Sequence, residues 1–115
     1  MKKLISAMFI LVSCFTTKAF SDGHAIKMGI ILGFTGPIES LTPAMAASAE
    51  LAFKEASDSG KLLGGKSIMI ERADSTCVDS AAATTAAEGL LSNGVLAIMG
   101  ADCSGVTGAI ATNVA

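Results

Sequence analysis

Three apolar runs, each followed by a stretch with helical periodicity, constrain this chain more than any other feature. The first run, "IKMGIILGF" at 26–34, is nearly continuous. A strand covered on both faces needs that pattern, as in a parallel sheet. The loop "TGPIESL" follows, punctuated by Gly36 and Pro37. Thr42 reads as an N-cap and Pro43 as the first helical residue. Met45, Ala49, Ala52, Phe53 and Ala56 then fall on one helical face, and Gly60 stops the helix. "SIMIERAD", 67–74, alternates more and fits an edge strand. Asp79 is placed to cap a second helix with an apolar stripe of Ala83, Ala86, Ala87, Leu90 and Leu91, ended by Asn93-Gly94. "VLAIM", 95–99, reads as a third buried strand, and a third helix starts near Ser104.

The order is therefore β-α-β-α-β-α. It predicts an α/β fold with a parallel sheet and right-handed crossovers. Ligands of such sheets bind beyond the carboxyl ends of the strands, where the strand order reverses. The loops "GFTGPIESL" and "GADCSG" lie at those ends. Three strands and a broken last helix leave an open sheet edge, so the expectation is the first part of a longer protein.

The N-terminus has a separate character. "MKK", the apolar "LISAMFILVSCF" and the small, polar "TTKAFSDGH" have the layout of a secretory signal peptide over residues 1–21. The apolar stretch is shorter than the roughly 20 residues a membrane span needs. Cleavage is expected after Ala19 or Ser21, leaving 22–115. The alternative is a lipoprotein: "LVSC", Leu11–Cys14, fits a lipobox that would lipidate Cys14.

From Asp22 onward there are five basic and ten acidic residues, a net charge of −5. Without a basic patch, Trp or Tyr, nucleic-acid binding is disfavoured. Two cysteines remain, Cys77 after the second strand and Cys103 after the third. An even count in an exported chain reads as one disulfide, and two free buried thiols are the alternative.

Catalytic readings find little support. A nucleophilic Cys103 or Ser104 needs a base, and the only histidine, His24, sits in the leader exit. "DCSG" lacks the G-x-S-x-G spacing of a nucleophile elbow. The first loop has neither G-x-G-x-x-G nor a Walker lysine. Two cysteines and one histidine lack the spacing of a metal site. No cofactor is expected. Ser104 stands at the N-cap or first turn of a helix, where it either caps that helix or contributes to an anion site.

"IKMGIILGFTGPIESLTPAMAASAELAFKEAS", "ERADSTCVDSAAATTAAEGLL" and "VLAIMGADCSG" together resemble the start of the periplasmic branched-chain amino-acid-binding proteins, the type I solute-binding proteins of ABC transporters. The resemblance spans about residues 26–115. Its most specific parts are T-G-P-I after the first strand and the cysteines after the second and third. It implies two α/β lobes closing over a small-molecule ligand and delivery to a membrane permease in the periplasm. It implies a Cys77–Cys103 disulfide and a ligand carboxylate held by Ser104, with Gly105 beside it. An aromatic that often packs on the ligand side chain is matched here by Leu41. Asp102 stands beside the carboxylate site, where a neutral residue is more usual, and it repels an anionic ligand end unless it is paired or points away. A cationic, amide or urea-like ligand therefore stays open beside a leucine-like one. The rival readings are a ligand-sensing receptor domain of the same fold and a Rossmann-like enzyme.

Overall fold

The computed structural model describes residues 25–115. The leader expectation, Cys14 and His24 included, lies outside the described residues. Strands β1 (Ile26–Leu32), β2 (Ile68–Asp74) and β3 (Ala97–Gly100) alternate with helices α1 (Thr42–Asp58), α2 (Ser80–Ser92) and α3 (Ser104–Asn113). A short 3₁₀ turn at Leu62–Gly64 leads into β2. The sheet is parallel throughout, in the order β2-β1-β3.

β1 is the central strand, and its alternation divides the core. Ile30 and Leu32 face α1, where they pack with Ala46, Ala49 and Phe53. Ile31 faces the other side and packs with Ala87 and Leu90 of α2, Val95, and Ile110 and Val114 at the end of α3. All three β1 side chains are buried. Each contributes about 1.5–3 kcal/mol relative to exposure. The continuous apolar run of the sequence is thus a strand serving two cores at once.

Three details depart from the sequence reading. α1 is turned by about one residue: Thr42 and Ala46 are buried, while Met45 and Ala52 face solvent. The cause lies at its start. Thr42 is the first helical residue and not the N-cap, which is Leu41 without a side-chain cap bond. The Thr42 hydroxyl instead donates to the Gly33 carbonyl at 3.1 Å and fixes the rotation of the helix. β3 begins at Ala97, two residues late, and is mostly exposed, with Leu96 74% accessible. Among the described residues it pairs on one flank only, with β1. Leu91, placed on the apolar stripe of α2, is also partly exposed, whereas Ala83, Ala87 and Leu90 are buried.

Other signals hold. Asp79 caps α2, accepting the N–H groups of Ala81 and Ala82 at 2.9 and 3.0 Å. β2 lies at a sheet edge, as its alternation implied. At the opposite end of α2, Lys27 donates to the Asn93 carbonyl at 2.9 Å and pairs with Glu71, which also accepts the Asn93 amide.

Candidate functional site

After β2 the chain crosses β1 to reach β3, so the strand order reverses between β1 and β3. The segment after β1 runs to α1 on one face of the sheet, and the segment after β3 runs to α3 on the other. Loops that part to opposite faces leave a crevice at the carboxyl ends, where open α/β sheets bind their ligands. The residues expected to form the site lie on the segments that follow β1 and β3. Leu41, 61% exposed, is the N-cap of α1. Ser104 and Gly105, both exposed, are the first two residues of α3. Asp102 is half-buried between β3 and α3.

The start of α3 is uncapped. Its N-cap is Cys103, in extended conformation, with no side-chain capping bond. The first bond of the helix runs from Thr107 N–H to the Cys103 carbonyl at 2.9 Å. The amides of Ser104, Gly105 and Val106 therefore precede the intrahelical ladder. Ser104 is not the N-cap of its own helix, so its hydroxyl is not committed to that role. The Thr107 hydroxyl steadies the turn from inside, donating to the carbonyls of Ala101 at 3.0 Å and Cys103 at 2.9 Å.

Cys77 and Cys103 are bridged, with Cα atoms 5.2 Å apart. The disulfide joins the β2–α2 and β3–α3 connections across the sheet end. Cys77 and its neighbour Thr76 both have positive φ, at 68° and 57°. That conformation is uncommon for residues with a side chain.

The first loop is held by groups that the sequence reading did not single out. Asp74, the last residue of β2, accepts the Thr35 hydroxyl at 2.6 Å and the N–H groups of Thr76 at 2.8 Å and Thr35 at 3.3 Å. Burial pushes its carboxyl up, but the Thr35 hydroxyl and the backbone amides outweigh burial and hold it below its ordinary value. Gly36 has φ +95°, and a Cβ there would sit 2.5 Å from the Thr76 carbonyl oxygen. T-G-P-I is thus a loop seated on the end of β2 by Thr35 and brought into backbone contact by Gly36. Phe34 lies beneath Arg72, whose guanidinium carbon is 5.5 Å from the ring centroid and which also donates to Glu50 of α1. Signals for these residues existed: Thr35 lay in the quoted motif, and Asp74 closed a strand.

Asp102 does not face its own helix. Its Oδ2 accepts the Gly33 N–H at 2.9 Å and its Oδ1 accepts the Ser75 hydroxyl at 3.4 Å. The carboxylate is thus engaged with groups beyond β1 and β2. An apolar groove of about 410 Å³ lies elsewhere, against β3 and α3, lined by Leu91, Leu96, Ile98, Ile110 and Val114; Leu41, Ser104 and Gly105 do not line it.

The whole described region, residues 25–115, matches the family model described as periplasmic binding protein. The chain belongs to the periplasmic binding protein family. No curated protein gives a significant sequence match. Membership carries a solute-binding role, a small-molecule ligand and an extracytoplasmic setting, in a family that is typically non-enzymatic. The three-stranded parallel sheet with interleaved helices is in keeping with a lobe of such a binding protein.

Proposed function

We propose that this protein is the extracytoplasmic solute-binding subunit of an ABC importer for branched-chain or related small amino acids and their amides. The crevice is one wall of a cleft that a second lobe closes, and the loaded protein delivers its ligand to a membrane permease. Export by the N-terminal signal peptide belongs to the same reading. Ser104 and Gly105 hold the carboxylate or amide end of the ligand, Leu41 meets its side chain, and Asp102 stands behind them.

The observation that carries this reading is the uncapped start of α3 at the strand-order reversal. Free N–H groups and the positive end of the helix dipole favour an anionic or strongly polar ligand end. The Ser104 hydroxyl adds a donor at the same place. Leu41 supplies an exposed apolar surface at the start of the other diverging helix.

Ser104→Ala tests the assignment in the full-length protein. It removes one donor to a charged group, an interaction of about 1.5–3 kcal/mol. The expected result is a fall in affinity for leucine of roughly 10-fold or more by calorimetric titration. The melting temperature of the free protein should stay unchanged, since Ser104 is not the N-cap of α3. A lowered melting point with unchanged affinity would overturn the assignment.

A further inference from the structure

Among the described residues, Asp102 alone joins groups beyond all three strands. Gly33 is the first residue after β1, Ser75 the first after β2, and Asp102 the second after β3. Ser75 is fully buried, and its own N–H donates to the Leu32 carbonyl at 2.9 Å, so it is part of the sheet end and not of a mobile loop. Gly33 is gripped on both sides. Its N–H donates to Asp102, and its carbonyl accepts the Thr42 hydroxyl at the start of α1. A chain of hydrogen bonds therefore runs from the first turn of α1, through Gly33, to Asp102, two residues before Ser104.

We propose that Asp102 is a positioning residue for the solute site: it ties the start of α3 to the end of β1 across the crevice, and so sets where the amides of Ser104 and Gly105 point relative to Leu41. This rests on the reading of Ser104 and Gly105 as the ligand's polar anchor. β3 pairs with β1 up to Ile31 and Gly100, and Ala101 packs in the Ile31 core, but the other side-chain tethers of residues 102–107 do not reach the end of β1. The disulfide runs to the β2–α2 connection, and the Thr107 hydroxyl bonds only to carbonyls of the turn itself. Beyond the β1–β3 ladder, the Asp102 carboxylate is the side chain that joins the start of α3 to the residue after β1.

The residue type fits the role. An ionised carboxylate only accepts, and it meets two donors, an N–H and an O–H. A leucine or alanine there would strand the Gly33 N–H at the base of the crevice. Asparagine fits both partners if its oxygen takes the Gly33 N–H and its amide donates to Ser75, whose hydroxyl can accept. An acid beside an anion-binding helix start is thereby accounted for, since it is turned into the sheet end.

The test uses Asp102→Ala and Asp102→Asn in the full-length protein with the disulfide intact. Amide hydrogen exchange is measured without ligand, and leucine binding by calorimetry well below the melting point. Asp102→Ala should speed exchange at Gly33, which loses its acceptor, and at Thr107, whose N–H makes the first bond of α3, and weaken leucine binding, each by roughly 10-fold, the equivalent of one stranded donor. Asp102→Asn should restore both to near the parent values. If the alanine variant does not fold, Asp102→Glu, which keeps the charge but displaces the oxygens, should show the same losses. Unchanged exchange at Thr107 in the displaced or truncated variant would overturn the proposal. So would an asparagine variant that exchanges like the parent yet loses binding, since Asp102 would then touch the ligand itself. A parent protein that does not bind leucine would count against the leucine reading alone, because the exchange measurements need no ligand.

Discussion

Gly36 is where a single residue decides the shape of the first loop. Its φ of +95° disfavours any residue with a Cβ, and the Thr76 carbonyl occupies the space such an atom would need. Gly36→Ala should therefore cost about 1–3 kcal/mol in denaturant unfolding, from a strained dihedral together with the displaced carbonyl. Thr35 would lose its seat on Asp74, so leucine affinity should fall in the same variant. A variant as stable as the parent would show that the loop re-forms without this contact. Gly36 was legible as punctuation, because glycine beside proline marks a turn whatever surrounds it. Thr42 was not. A threonine before a proline at the head of an apolar stripe reads as an N-cap, and only the position of the Gly33 carbonyl makes it a buried donor to the neighbouring loop. Asp102 was legible as an anomaly, an acid near an expected anion site. Its orientation was not, since Gly33 and Ser75 lie 69 and 27 residues away along the chain.

At the level of elements, the alternation of apolar runs with helical stripes gave all three strands and all three helices in order, because each pattern has its own period. What it left open was rotation and exposure. The stripe of α1 is rich in alanine, so several faces are nearly equivalent in hydrophobicity, and the hydroxyl of Thr42 decides among them. The apolar composition of "VLAIM" implied burial, yet among the described residues β3 has a strand on one side only. The cysteines were placed by the same alternation: residues that follow consecutive strands in a parallel sheet come out on one edge. Their disulfide closes a stretch of sequence separation 26. On the chain-entropy account its loss should destabilise the protein by about 3.5 kcal/mol. Replacing both cysteines with serine should show this in chemical denaturation under oxidising conditions. The same difference should appear when the parent is unfolded with a reductant present. Equal stability of parent and double variant under oxidising conditions would mean that the bridge adds nothing to the sheet end.

Across the molecule, charge is distributed so that acids hold the joints. Glu50 on α1 accepts from Arg72 on β2, Glu71 on β2 accepts from Asn93 and Lys27, and Asp74 seats the first loop. Bonding to Arg72 lowers the Glu50 carboxyl from its ordinary 4.5, and bonding to Asn93 and then Lys27 does the same for Glu71. Asp74 lies below its ordinary 3.8 despite burial, because the Thr35 hydroxyl and backbone amides favour its charged form. The sign of the pH dependence follows. A carboxyl whose folded pKa is depressed binds fewer protons in the folded state than in the unfolded one over that range. Its stabilising contribution is complete above the ordinary carboxylate values and is lost as pH falls through the lowered folded values. The melting temperature should therefore be nearly level from pH 7 to about 5 and decline below the ordinary values of 4.5 and 3.8. The two glutamates are partly exposed, and their pairs are screened by solvent and salt, so their share should shrink in high salt. Asp74 acts through short hydrogen bonds and should keep its share. Asp74→Asn removes one titrating group while leaving an oxygen to accept from Thr35, so the acid decline in high salt should become shallower in that variant. Thermal melts of parent and variant from pH 7 to 3 at low and high salt separate the contributions. An unchanged acid slope in Asp74→Asn at high salt would mean that the loop anchor is not a source of the acid sensitivity.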